Sequence, residues 1–185
     1  MAEFHKLGEE TLFSGSLIQV ARGTYRAPDG ERFTREVVHH PGAVVVVPLV
    51  DQDTALLVRQ YRSSVGELLL ECPAGKRDVE GEPTEVTASR ELVEKVGQRA
   101  GRLELLARFY TTPGFCDELA WLYLAEDLEA VPHDRQGVEE QAMTVEAVSL
   151  SDLDRLVHSG EVVDAKTIVG LSLARERVRG RRDVD

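Results

Sequence analysis

Positive charge is scarce in this chain of 185 residues: 22 Lys and Arg stand against 33 Asp and Glu, a formal charge of −11. Nonspecific nucleic-acid binding relies on basic surface, so the balance argues against that class. An anionic small molecule is not, because a local arginine cluster or a bound cation can reverse the field. Cysteine is nearly absent. Cys72 and Cys116 are too few for a disulfide framework and lack metal-ligand spacing, which points to the reducing cytoplasm. Long apolar runs are missing too, and none approaches the ~18 residues that a membrane span requires. The opening MAEFHKLGEE lacks the basic-then-apolar order of a signal peptide. The five histidines show no ligand spacing, and no Ser-His-Asp pattern is visible. No repeat or low-complexity tract interrupts the chain. Its hydrophobic content of 42% is enough for a core, and its length suits one domain with at most a small appendage.

What is there reads as strands, a helix, strands and then helices. Residues 10–38 form short strands around the turn Ala27-Pro28-Asp29-Gly30. AVVVVPLV (43–50) is a β-branched run and predicts a buried strand. TALLVRQYR and ELLLEC follow. Pro83 to Val96 is helical, with Val86, Leu92, Val93 and Val96 on one side and Thr87, Glu91, Glu94 and Lys95 on the other. Strands are expected at 102–110, 118–128 and 143–150. Ser151 and Asp154 suggest a helix start, and Asp164 begins the last helix. Its basic end, ARERVRGRR, reads as solvated arginines complementing the helix dipole, with a nucleic-acid or partner tail as the alternative. The class is α+β, a mixed sheet with helices on its faces. Hairpins rarely stand alone, so residues 1–38 are candidates for packing on a partner chain.

Chemistry concentrates in GKRDVEGEPTEVTASRELVEKVGQ, Gly75 to Gln98. Glycine after Pro73-Ala74 lets a ligand approach the backbone closely. The loop holds Asp78, Glu80 and Glu82, and the helix supplies Glu91 and Glu94 as neighbours on one face. Clustered carboxylates repel one another, and a hard divalent cation such as Mg²⁺ or Mn²⁺ resolves that repulsion. Arg90, four residues before Glu94, is placed to orient it through an ion pair. The bland alternative is a solvated acidic helix face.

The segment resembles the Nudix box: G, five variable residues, E, seven variable residues, then R-E-apolar-x-E-E-x-G-apolar. Gly75, Glu82, Arg90, Glu91, Leu92, Glu94 and Gly97 match, with one extra residue between Gly75 and Glu82. Lys95 replaces the second glutamate of the pair, and Gln98 the final apolar residue. Arg59-Gln60-Tyr61-Arg62, Glu71-Cys72-Pro73-Ala74-Gly75 and Tyr110 to Glu118 look like the corresponding regions of ADP-ribose pyrophosphatases. Pro113 lies sixteen positions after Gly97, the placement that marks this group. The resemblance implies an α/β/α sandwich with N-terminal antiparallel strands: residues 1–40 as a dimerisation or swapping segment and 41–185 as the hydrolase domain. It implies metal ligands at the Ala74 carbonyl, Glu91 and Glu94, and a catalytic glutamate from GVEEQAM, Glu140 rather than Glu139. Arg62 and Glu118 match residues that hold the ADP-ribose phosphate and the terminal ribose. The implied partners are a nucleotide sugar and a second copy of the chain, with no nucleic acid and no membrane.

Lys95 complicates this expectation. A protonated lysine does not ligate a metal, and its reference pKa is ~10.4. At 4 Å and an effective dielectric of ~20, one unit charge against a dication is worth roughly 8 kcal/mol before relaxation. Three outcomes follow: hydrolysis with fewer metals, binding without cleavage with Lys95 on the pyrophosphate, or a site disabled at this position. The functional expectation is metal-dependent hydrolysis of ADP-ribose or a related nucleotide sugar; the alternative is a nucleotide-binding protein of weak or no activity.

Overall fold

A computed structural model describes residues 3–135 and 137–182. Two compact units result, residues 1–42 with 109–119 and residues 43–108 with 120–185.

The larger unit is built on a run that is apolar on both sides. Strand β4 (Ala43–Pro48) is buried at every position. It pairs parallel with β9 (Leu119–Ala130) and antiparallel with β7 (Ala74–Lys76), and β8 (Gln98–Tyr110) completes the sheet in the order β7-β4-β9-β8. The sheet is therefore mixed, as expected. An uninterrupted valine run is what a strand covered on both faces requires. Val44 and Val46 cluster with Tyr123 and with Ala88, Leu92 and Val96 of α1 (Thr84–Val96). On the other face a Cβ at Gly170 would lie 3.1 Å from Val47 Cγ2 and 3.2 Å from Leu122 Cδ1. Gly170 belongs to α4 (Ala165–Arg182), so helices cover both faces of the β4–β9 pair. A second sheet of three antiparallel strands runs β10-β5-β6, from Thr144–Ser149, Thr54–Arg62 and Glu67–Glu71.

The last helix buries Thr167, Leu171, Ala174 and Val178, a 3.6-residue stripe. Asp164 starts it as expected: its carboxylate accepts from the Thr167 amide at 2.9 Å. Two expectations are corrected. Ser151 is not the cap of the preceding helix; the Ser149 hydroxyl accepts from the Ser151 amide at 3.1 Å, and a short 3₁₀ turn (Leu150–Asp152) leads into α3 (Leu153–His158). The basic end of α4 is not simply solvated: Arg177 reaches Glu104 at 2.7 Å, and Arg181 reaches Glu126 at 2.6 Å and Glu104 at 2.9 Å.

The smaller unit is the antiparallel sheet β1-β2-β3, from His5–Ser14, Gln19–Arg26 and Arg32–His39. The first strand begins five residues before the expected start, and none of its residues is buried. Segment 109–119 is stitched to β3: the Val38 amide donates to the Phe115 carbonyl at 2.7 Å, and the Asp117 amide to the Val38 carbonyl at 3.1 Å.

Candidate active site on the first helix

The helix α1 begins after Pro83 and ends on Gly97, whose φ of 67° is the left-handed conformation that glycine tolerates best. Its faces differ from the expected ones. Val86 is half exposed, while Thr87, Glu91 and Lys95 are buried with Ala88, Leu92 and Val96. The side chains of Glu91 and Glu94 are 7% and 12% exposed, so the solvated acidic face is excluded. Burying charge is expensive unless it is paired, so the partners of these groups define the site.

Arg90 is the hub. Its guanidinium lies 3.1 Å from Glu91, 3.4 Å from Glu94, 3.3 Å from Glu82 and 3.7 Å from Asp78. Glu82 is held a second time by the Thr87 hydroxyl at 2.7 Å. That hydrogen bond, and then Arg90, keep the Glu82 carboxyl below the usual carboxylate range. Burial pushes Glu91 the other way, up to about 7, against the pull of Lys95.

Glu91 also explains the first glycine of the motif. A Cβ at Gly75 would lie 1.8 Å from the Glu91 carboxyl carbon, so only glycine lets this side chain lie against the β7 backbone beside Ala74. The result is a buried carboxylate against a strand end, with the half-buried Glu94 joined to it through Arg90. Oxygen donors of this kind suit a hard divalent cation. Among the described residues no group of three or more His, Cys, Asp or Glu side chains converges as a metal site. The donor set thus fits one ion completed by a main-chain carbonyl, water and substrate oxygens better than an all-protein cage.

Lys95 points to Glu140, not to solvent. Its Nζ lies 2.5 Å from Glu140 Oε1, and the two side chains are 5% and 16% exposed. Glu140 sits on the single turn α2 (Val138–Gln141), and Glu139 beside it is exposed. The preference for Glu140 over Glu139 rested on resemblance; no sequence pattern announces a pair separated by 45 positions.

The remaining candidates divide between the units. Arg62 forks onto Glu71, with Nε at 2.8 Å and Nη2 at 2.5 Å from Oε2, and Glu71 is buried. Sequence reasoning did not single out Glu71 as its partner. Pro113 and Glu118 lie in the smaller unit. Glu118 accepts from the Thr111 hydroxyl at 2.6 Å, and its other oxygen is 3.6 Å from His40 Nδ1. Pro113 lines a cavity of about 440 Å³ with Tyr25, Phe33, Arg35, Tyr110 and Phe115. Tyr25 and Phe33 stack at 5.4 Å, and the Arg35 guanidinium lies 4.8 Å from the Phe33 centroid. Trp121 packs against the core, with Arg77 at 4.5 Å over its ring.

Comparison with known proteins adds to this geometry. A family model described as NUDIX domain matches residues 38–168. The chain is 40% identical over 161 residues to an ADP-ribose pyrophosphatase of Bacillus subtilis (strain 168), covering 87% of this chain and 86% of the relative. It is 40% identical over 169 residues to an ADP-ribose pyrophosphatase of Mycobacterium tuberculosis (strain ATCC 25618 / H37Rv), covering 91% and 82%. A methanol dehydrogenase activator of Bacillus methanolicus is 32% identical over 162 residues, covering 88% and 87%. A solved structure described as ADP compounds hydrolase aligns with a TM-score of 0.84 at 24% identity, covering 97% of this chain and 96% of that one, a likeness of fold.

Proposed function

This chain belongs to the Nudix family as an ADP-ribose pyrophosphatase-like hydrolase, and we propose that its substrate is a nucleoside-diphosphate sugar, with ADP-ribose cleaved to AMP and ribose 5-phosphate. The observation that carries the reading is the burial of Glu91 on α1 beside the half-buried Glu94, with Glu91 lying against Gly75, the residue that follows Ala74. The Ala74 carbonyl, Glu91 and Glu94 would hold Mg²⁺ or Mn²⁺. Such an ion, when bound, neutralises phosphate oxygens and makes an attacking water more acidic.

The chain's own residues supply the rest. Arg90 fixes the two carboxylates, since its Nη1 donates to both. Glu140 accepts the proton as water oxygen bonds to phosphorus; the bridging P–O bond breaks and its electrons stay on the leaving phosphate. Arg62, already oriented by Glu71, holds substrate phosphate. Glu118 accepts from a ribose hydroxyl, and Pro113 shapes the loop that carries it. Residues 1–40 serve dimerisation, 41–185 are the hydrolase domain, and the protein works in the cytoplasm.

A second reading is nucleotide binding without efficient cleavage. The Lys95–Glu140 contact favours it, because a carboxylate paired with an ammonium is a poorer proton acceptor. Phosphatase-coupled phosphate release from ADP-ribose with Mg²⁺ or Mn²⁺, run beside Lys95→Glu, separates the two. Release by the wild type is the expected result. Release by Lys95→Glu alone favours the binding protein, and none from either across a panel of nucleotide sugars removes the hydrolase.

A further inference from the structure

Lysine is almost never fully buried unless paired, yet Lys95 is 4% exposed. It occupies the last turn of α1, where a cation complements the helix dipole. Its ammonium contacts Glu140 directly at 2.5 Å. The turn carrying Glu140 is short: α2 is four residues long, buries none of them and has no side-chain cap. The nearest apolar anchor in sequence is Met143, which is buried in the core cluster with Ala88 and Leu92.

We propose that the Lys95 ammonium is a built-in cation of this site, standing in for one divalent ion and tethering the Glu140 turn to α1 without metal. The inference rests on the reading that divalent ions bind at Glu91 and Glu94. Exchanging Lys95 for glutamate changes the local charge by two units, the charge of one divalent ion. A glutamate at this position would leave Glu91, Glu140 and itself mutually repelling, and an added ion would be needed to hold them. With lysine there, the site binds one divalent ion fewer, and the turn stays docked in its absence.

The test uses the full chain as wild type, Lys95→Met, Lys95→Glu and Glu140→Gln. Bound Mn²⁺ is counted from the loss of the free-ion electron paramagnetic resonance signal. Amide exchange of residues 137–143 is followed by mass spectrometry in EDTA and in Mn²⁺, with β4 as the control for an intact fold. In EDTA the wild-type turn is protected, and Lys95→Met and Glu140→Gln exchange about tenfold faster there with β4 unchanged. Lys95→Glu exchanges fast in EDTA, regains protection in Mn²⁺, and binds one more Mn²⁺ ion than the wild type. Equal Mn²⁺ counts in wild type and Lys95→Glu overturn the proposal, as does unchanged exchange of 137–143 in Glu140→Gln. Should Lys95→Met lose β4 protection, the Glu140→Gln arm decides alone. A wild type that cleaves no nucleotide sugar but shows the smaller ion count and the protected turn removes the hydrolase reading and leaves this one standing. Cleavage with equal counts does the reverse.

Discussion

Helix α1 and strand β1 break the ordinary pattern in opposite ways. The helix keeps charge inside: Glu91 and Lys95 are buried on the same face as Leu92 and Val96. The strand keeps apolar groups outside: Leu7, Leu12 and Phe13 are 41%, 42% and 57% exposed, and nothing along it is buried. Single exposed apolar residues are ordinary, but three on one edge strand that is exposed throughout, with Phe4 just before it, are an unfinished surface. The buried charges of α1 are paired within the chain, whereas the apolar side chains of β1 stay exposed, and a second copy of the chain is the partner proposed for them.

The comparison breaks most sharply at Gly75. In Gly75→Ala the new methyl displaces the Glu91 carboxylate by more than an ångström, and we expect kcat/KM in phosphate release to fall on the order of 100-fold. A fall of less than about threefold would mean that the position of Glu91 is not critical.

Next comes the buried pair. Lys95→Met leaves Glu140 without its ammonium, and urea unfolding should show a loss of about 2 kcal/mol, below the range for fully buried pairs because Glu140 retains some solvent. An unchanged midpoint would mean that the pair contributes nothing. On the strand, Leu12→Ser with Phe13→Ser should weaken self-association about tenfold in sedimentation equilibrium, with the monomer fold retained. An unchanged association constant would detach β1 from dimerisation.

The smallest effect is electrostatic and lies wholly in the smaller unit. His39 Nδ1 is 2.6 Å from Asp117 and its Nε2 is 3.0 Å from Glu9. Asp117, then Glu9, raise the imidazole above its ordinary value, against a modest burial effect. The folded state therefore holds the proton more tightly than the unfolded one. The stabilisation is fully present below about pH 6.5 and is lost as pH rises through the folded value. Urea midpoints from pH 5.5 to 8.5 should fall for the wild type relative to His39→Gln; parallel curves would contradict it.

Much of this was legible in the chain itself. The valine run at 43–48 declared a strand covered on both sides, and the capping Asp164 declared the last helix. Glycine and carboxylate spacing singled out α1 as the place of the candidate site. The division of α1 into faces was not legible, because Thr87, Glu91 and Lys95 read as polar by type while their partners make them interior. Periodicity counts apolar residues and is blind to charges that are neutralised elsewhere in the chain. The cap at Ser149 was missed because Ser151 offers the same hydroxyl two residues later, where Asp53 takes it at 2.7 Å. The early start of β1 was hidden because no side chain along it alternates between core and solvent.

The most direct test of the account is a Mn²⁺ titration of wild type and Glu91→Gln, followed by the free-ion resonance signal. A neutral amide of the same shape preserves packing and removes the charge that the ion needs. We expect at least tenfold weaker binding in Glu91→Gln. Identical titration curves would contradict the placement of the cation on α1.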